Sequence, residues 1–369
     1  MKIVKVTSFF HPVTGGMEIH MLNESKELIK LGHEVSIYTS NSLREGKIEG
    51  GPEIINKIKV NRFNTWFKLS YFTPVFPKVF LKALFDNYDV LHSHSYRQPH
   101  NITVLIAKLR GKKAFLSMHW PEYPKELRSN FMNFFIPIFD NTFGQILLKF
   151  SDKLIVQSED EKNWLINKFN VNKNKVKIIP PGIEEIYLKK VNTNNFKNKF
   201  KIKSPIILYL GRIHESKGIE RLISIAKDIK ATIVIAGTGE YSEILKISAK
   251  ELKNIIFTGK LTEQEKIEAI SSCDIFCSPS NYEAYGITLV EAMAQSKAVI
   301  GSNVGGIPST IGDCGYTFNK DDLTDLKVKI KLLLKNKKLR ESFGKKGFKK
   351  AKELTWNKIA KDLVKLYEN

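Results

Sequence analysis

A chain of 369 residues exceeds what one hydrophobic core usually organises, so two domains are expected. Hydrophobic residues make up 42%, which argues against disorder, and three cysteines (Cys273, Cys277, Cys314) are too few and wrongly spaced for a disulfide framework or a zinc knuckle. The excess of 59 Lys and Arg over 38 Asp and Glu, a formal net charge of +21, calls for nucleic acid, an anionic membrane, a phosphorylated small molecule, or plain solvation.

The first apolar run, 2–6, is too short for a signal peptide and is followed by His11 and Pro12, so it reads as a buried strand. A Gly-containing loop leads to a helix from Met17 to about Leu31, closed by Gly32, and to a strand at 35–39. Further strands are expected at 90–94, 113–118, 153–157 and 176–179. The apolar stretch 131–150 contains Asn133, Pro137, Asp140, Asn141 and Gly144, so no membrane span is expected. Glu159-Asp160-Glu161 reads as the start of a solvated helix, and the Asn- and Lys-rich stretch 191–203 as a linker or a solvated helix surface. The pattern then restarts, with strands at 206–210, 232–236, 255–258, 275–277 and 298–301 and closing helices at about 325–353 and 356–367. Lys345, Lys346, Lys349, Lys350 and Lys352 read as a solvated face, and the cysteines as small buried residues of a reducing, cytoplasmic compartment. The fold class is α/β: two Rossmann-like βαβ modules, with ligands expected in loops at the carboxyl ends of the strands, around one cleft.

Four loops carry chemistry. Glu283-Ala284-Tyr285-Gly286-Ile287-Thr288-Leu289-Val290-Glu291 follows a strand and opens a helix. The N–H groups of Gly286, Ile287 and Thr288 would be unpaired donors suited to a phosphate or sugar oxygen. Alone, two glutamates eight positions apart fit a dipole-complementing acid and a surface carboxylate equally well. In Gly211-Arg212-Ile213-His214-Glu215-Ser216-Lys217-Gly218, a guanidinium fork and an ammonium five residues apart can converge on a diphosphate; by spacing alone, a surface Arg and an incidental Lys explain them better. His11 to Glu18 contains the pair Gly15-Gly16, which permits close backbone approach but lacks the dinucleotide fingerprint, disfavouring a nicotinamide dehydrogenase. His119, in Ser117-Met118-His119-Trp120, stands at a strand end, where an imidazole can move a proton or bond a hydroxyl. His92 and His94 are either acceptor-side residues or a buried, satisfied pair.

The segment 283–291 resembles the Glu-x7-Glu motif of the retaining family 4 glycosyltransferases, which have the two-domain GT-B fold. Gly211 to Gly218 resembles that family's Gly-Arg-x4-Lys-Gly element, Gly15-Gly16 its N-terminal glycine loop, and His119 its active-site histidine. The pieces Ile179-Pro180-Pro181-Gly182-Ile183, Ala236-Gly237-Thr238-Gly239, Phe257-Thr258-Gly259 and Val304-Gly305-Gly306-Ile307-Pro308 match as well. The resemblance implies that Glu283 lies by the donor sugar and Glu291 on the ribose hydroxyls. It also implies that Arg212, Lys217, Lys266 and the Gly286, Ile287 and Thr288 amides hold the diphosphate, with Leu261 meeting the base through its backbone. Gly15 and Gly16 would cover the donor phosphates near the acceptor, with His119 on that side. Ala284, Tyr285, Gln295-Ser296-Lys297 and Ser309 depart from the family's usual residues.

The same resemblance implies an acceptor-binding domain of residues 1–185 plus 355–369, its last helix crossing back from a nucleotide-sugar-binding domain of 186–354. The expected reaction is retaining transfer of a hexose-type sugar from a UDP- or GDP-sugar to a hydroxyl, with no metal or other cofactor. Basic and aromatic residues mix at Arg62, Phe63, Trp66, Phe67, Lys68, Tyr71 and Phe72 and again from Lys125 to Phe150. They suit an anionic membrane surface and a glycan or lipid-linked acceptor, or else they pack under the first sheet. A sugar-nucleotide epimerase or hydrolase on the same fold is the alternative enzyme. A nucleic-acid-binding protein is the alternative from charge alone, but no nucleic-acid motif is present, so no nucleic acid is expected.

Overall fold

A computed structural model of the protein describes residues 1–13, 15–121 and 129–369. They form two compact units, one of Met1–Gly182 with Trp356–Asn369 and one of Ile183–Thr355.

The first unit contains β1 (Lys2–Val6), β2 (Glu34–Ser40), β3 (Gly51–Ile55), β4 (Ile58–Phe63), β5 (Phe67–Ser70), β6 (Thr73–Val75), β7 (Val90–His94), β8 (Lys113–Ser117), β9 (Lys153–Val156) and β10 (Val176–Ile178). β5 and β6 pair as a separate ribbon. The other eight form one sheet in the order β10-β9-β8-β7-β1-β2-β4-β3, parallel except that β3 runs against β4. β1 lies between β2 and β7, so the strand order reverses there, and an open parallel sheet leaves its ligand crevice at the carboxyl ends of such strands. The β3–β4 hairpin escapes the sequence pattern because its turn, Asn56-Lys57, takes positive φ at both positions (50° and 68°) without a glycine. β3 is moreover an exposed edge strand containing Pro52. The returning helix Trp356–Glu368 buries Trp356, Ile359, Ala360, Leu363, Leu366 and Tyr367, one helical stripe, against the helix Gly16–Lys30.

The second unit contains β11 (Ile206–Leu210), β12 (Thr232–Ala236), β13 (Ile255–Gly259), β14 (Ile275–Ser278), β15 (Ala298–Ser302) and β16 (Gly315–Phe318), all parallel, in the order β13-β12-β11-β14-β15-β16. Along β11, Ile206, Leu208 and Leu210 enter one apolar cluster and Ile207 and Tyr209 another. Alternate residues thus feed cores on both faces, the reason this strand reads as an unbroken apolar run. The order reverses between β11 and β14.

Three readings need correction. The stretch 191–203 is not a linker: it forms the helix Asn194–Lys199, whose surface is mostly exposed as the second alternative expected, but buried Phe196 and Ile202 anchor it in the second unit's core. The closing helix breaks at Asn336, whose side chain accepts the N–H of Leu339 at 2.9 Å to start the helix Lys337–Lys352. On that helix Lys345, Lys346, Lys349 and Lys352 are exposed, but Lys350 is partly buried and donates to the carbonyls of Ser309 and Thr310, both at 2.8 Å. It thereby takes two carbonyls of the helix Ile307–Ile311. The three cysteines are free and buried. Among the described residues no helix is long and apolar enough to cross a membrane.

Candidate functional site

In the second unit the loops after β11 and β14, the strands flanking the reversal, are tied to each other. The Ser216 carbonyl accepts the N–H of Asn281 (2.8 Å) and of Tyr282 (3.3 Å), and the Glu215 carbonyl accepts the Asn281 amide at 3.0 Å. They approach so closely at Gly218 (φ 61°) that a Cβ there would lie 2.1 Å from the Pro279 carbonyl oxygen. This clamp brings Lys217 Nζ within 2.7 Å of Glu283 Oε2, both side chains partly buried. Arg212 projects exposed from the same loop, its carbonyl held by the Tyr209 hydroxyl at 2.8 Å.

Behind Glu283 the loop after β15 provides support. The Glu283 carbonyl accepts the Gly306 N–H at 3.1 Å, and the Thr310 hydroxyl donates to the Tyr285 carbonyl at 2.6 Å. The chain then turns through Gly286 (φ 83°) into the helix Ile287–Ala294, whose start no side chain caps and whose first turn has no acid. Its N-terminal amides and positive dipole end are therefore available to an anion. Leu289, Val290, Ala292, Met293 and Ala294 are buried, which leaves Ile287, Thr288 and Glu291 partly open along one face.

Glu291 belongs to a second group. Burial pushes its carboxyl up to about 8; Lys266 opposes the shift, and Glu263 and Glu184 add to it. Lys266 rises from the helix Glu263–Ser272, which starts through a Thr262–Glu265 capping box directly after buried Leu261, and it pairs with Glu263. Buried Tyr187, which the sequence pattern does not single out, places its hydroxyl 3.4 Å from Glu263 Oε2. Gln295, one of the family departures, donates to the Tyr187 and Lys189 carbonyls and so pins that segment.

In the first unit Gly15 caps the helix Gly16–Lys30 with extended backbone. A Cβ on Gly15 would lie 2.4 Å from Glu18 Oε2, whereas one on Gly16 would meet open space. Buried Glu18 pairs with Arg44 at 3.0 Å. Thr14 of this loop lies outside the described residues.

His119 follows β8 with a left-handed backbone (φ 54°), as does Trp120 (φ 44°). Its Nδ1 accepts from the Gln157 amide at 3.0 Å, which leaves the proton on Nε2, 3.0 Å from His94 Nδ1. Burial, His20 and Lys5 together lower its pKa to about 3 against the pull of Glu24, so the ring is neutral at pH 7 with both nitrogens engaged. His92 is the satisfied alternative: buried, it bonds the Tyr367 hydroxyl (2.6 Å) and Ser117 Oγ (2.7 Å). His94 is fully buried with Nε2 unpartnered among the described residues.

Glu161 corrects another expectation. Glu159 is exposed, but Glu161 is fully buried, accepting the N–H of Gln157 at 2.6 Å and the N–H of Trp120. The Ser158-x-x-Glu161 spacing announces a capping box. Ser158 does cap Glu161 (3.1 Å), but the carboxylate serves Gln157 and Trp120.

The aromatic segments of the first unit do not share one environment. Arg62 is buried and Phe63 partly so, whereas Trp66 (66% exposed), Phe67, Tyr71 and Phe72 face outward with the β5–β6 ribbon. On the helices Asn130–Asn141 and Phe143–Phe150, Phe131, Phe134 (65%), Phe135, Ile138, Ile146 and Phe150 are exposed. Lys125 lies outside the described residues.

The family described as glycosyl transferases group 1 matches residues 190–350, and glycosyltransferase family 4 matches residues 14–185. An uncharacterised glycosyltransferase of Methanocaldococcus jannaschii is 27% identical across all of this chain and 98% of its own. A phosphatidyl-myo-inositol mannosyltransferase of Mycolicibacterium smegmatis is 23% identical across all of this chain and 94% of its own. Among solved structures, Anabaena HepE in complex with UDP superposes with a TM-score of 0.77 at 15% identity, each chain covered completely.

Proposed function

Given that the chain belongs to the family 4 glycosyltransferases of the GT-B fold, and is a transferase enzyme, we propose that it moves a hexose-type sugar from a UDP- or GDP-sugar to a hydroxyl acceptor with retention of anomeric configuration. The observation that carries this reading is the Lys217–Glu283 ion pair at 2.7 Å, beside the uncapped helix start at Gly286. Arg212, Lys217 and the amides of Gly286, Ile287 and Thr288 take the diphosphate, Lys266 adds positive charge, and Leu261 meets the base. Glu291 takes the ribose and Glu283 orients the sugar. As the C1–O bond to phosphate breaks, the departing oxygen takes the acceptor's proton, and the new C1–O bond forms on the same face. Fixed cations and helix-start dipoles stabilise the leaving charge, so the reading includes turnover that survives a chelator. The UDP complex of Anabaena HepE supports the donor class.

The test is a thermal-shift panel of UDP, GDP, ADP and their sugar conjugates on the protein and on Arg212→Ala. One nucleotide class is expected to raise the melting temperature, with the rise lost in Arg212→Ala. No shift with any nucleotide at millimolar concentration overturns the donor site.

Glu291 adds a pH signature. A carboxylate that accepts ribose hydroxyls must be ionised, while burial holds the Glu291 carboxyl protonated up to about 8. Donor affinity should therefore rise between pH 6.5 and 8.5, with proton release on binding. Calorimetry with the sugar nucleotide, whose diphosphate diester does not titrate there, should show this slope, and Glu291→Gln should flatten it.

The acceptor we propose is a glycan on a lipid or at an anionic membrane surface. The outward Phe131, Phe134 and Phe135 and the net charge of +21 support it, as does the phosphatidylinositol-directed activity in the mycobacterial relative's name. Sedimentation with anionic vesicles at low salt is expected, and replacing those three phenylalanines with serine should abolish it, each buried ring contributing about 1.5–3 kcal/mol. Equal recovery of both proteins in the supernatant removes the membrane.

A further inference from the structure

We propose that Glu161 is a positioning residue of the site: its buried carboxylate holds the turn His119-Trp120 and the Gln157 amide that orients the His119 ring. The inference rests on the reading of His119 as an active-site residue, although the geometry behind it lies wholly within the first unit.

Three observations converge. His119 and Trp120 both occupy the left-handed region, which residues with a Cβ adopt rarely and keep only when the surroundings over-determine them. Glu161 takes the Trp120 N–H on one carboxylate oxygen and the Gln157 N–H, at 2.6 Å, on the other. Gln157 in turn donates from its side chain to His119 Nδ1 at 3.0 Å. One carboxylate therefore controls the backbone directly after the imidazole and the residue that selects its tautomer. A fully buried carboxyl group is costly unless hydrogen-bonded, and here both its oxygens serve the His119 neighbourhood. Burial raises its pKa to about 7, with the two backbone N–H groups opposing.

Glutamine at 161 keeps the shape but turns an NH2 group toward one of two N–H donors, so one bond is lost and two donors face each other. The test compares wild type, Glu161→Gln, Gln157→Leu and the double variant, using the 15N spectrum of histidine-labelled protein, UDP affinity, and release of the nucleoside diphosphate from the sugar nucleotide that binds. In wild type, His119 should show one protonated and one unprotonated ring nitrogen. Glu161→Gln should move these signals toward tautomer averaging and lower turnover about tenfold or more, with UDP affinity held within twofold. Because both residues act on one ring, the double variant should lose no more than the worse single variant. Unchanged His119 signals in Glu161→Gln, or losses that multiply in the double variant, overturn the proposal. If Glu161→Gln fails to fold, unchanged His119 signals in Gln157→Leu overturn it alone. The spectra need no substrate, so the imidazole signals decide the positioning question whether or not the sugar nucleotide turns over, and the nucleotide panel on Arg212→Ala tests the donor-site reading separately.

Discussion

Alanine at Lys217 is expected to lower the rate of sugar transfer by about three orders of magnitude while changing donor affinity far less. The Lys217 ammonium lies 2.7 Å from Glu283 Oε2, on a loop clamped to the loop that carries Glu283. It is thus prepositioned where the leaving diphosphate gains charge, and a donor aimed at developing charge in a partly desolvated site contributes about 10²–10³ in rate. Arg212 is exposed on the same loop and should behave differently, raising the donor KM more than it lowers kcat. Single-turnover measurements with saturating donor separate the two. A Lys217→Ala rate within tenfold of wild type would reduce the lysine to a partner that holds Glu283 in place.

Glu24→Gln is expected to destabilise the first unit by about 3–5 kcal/mol, because it strands a buried ammonium. Lys5 sits on the central strand β1 with no exposure, ion-paired to Glu24, whose other oxygen meets His20 Nε2 at 2.7 Å. Burial works to raise the Glu24 pKa, but Lys5 and His20 outweigh it and hold the carboxyl well below the usual range. Burial also pulls Lys5 below the usual lysine range, against Glu24. A depressed carboxyl contributes stability that is present above the unfolded value, about pH 4, and is lost as pH falls toward the folded one. The apolar pair Lys5→Met with Glu24→Leu should recover most of the loss at neutral pH and flatten the acid limb. All four tryptophans, Trp66, Trp120, Trp164 and Trp356, belong to the first unit, so urea unfolding followed by their fluorescence reports on it selectively. A Glu24→Gln midpoint equal to wild type would mean that Lys5 is neutral in the fold.

The parallel strands of the second unit were legible because both their faces are buried: β11 and β12 read as short apolar runs between turn signals. The Asn194–Lys199 helix was not, because one aromatic, Phe196, anchors an otherwise polar segment and periodicity cannot be seen in a single residue. Site residues that close a loop on a short motif, such as Lys217 and Glu283, were visible through the motif. Their contact was not, since it depends on two loops 66 positions apart meeting at a strand reversal. Glu161 and Tyr187 were invisible for a different reason. Burial of a charged or hydroxylated side chain is set by tertiary packing, and the charge run around Glu161 imitates a solvated helix start.

The chain leaves the first unit at Gly182 and re-enters it at Trp356, packed so tightly there that a Cβ on Gly182 would lie 2.7 Å from the indole. Tyr367, which bonds His92, comes from this last helix. On a ribosome, therefore, the second unit can complete its core while the first still lacks a helix. The first unit waits, with His92 short of its phenol and the helix Gly16–Lys30 uncovered, until the helix Trp356–Glu368 has been synthesised. Early termination just before Trp356 would release a finished second unit attached to an unfinished first one, a species whose exposed helix face invites chaperones rather than substrate.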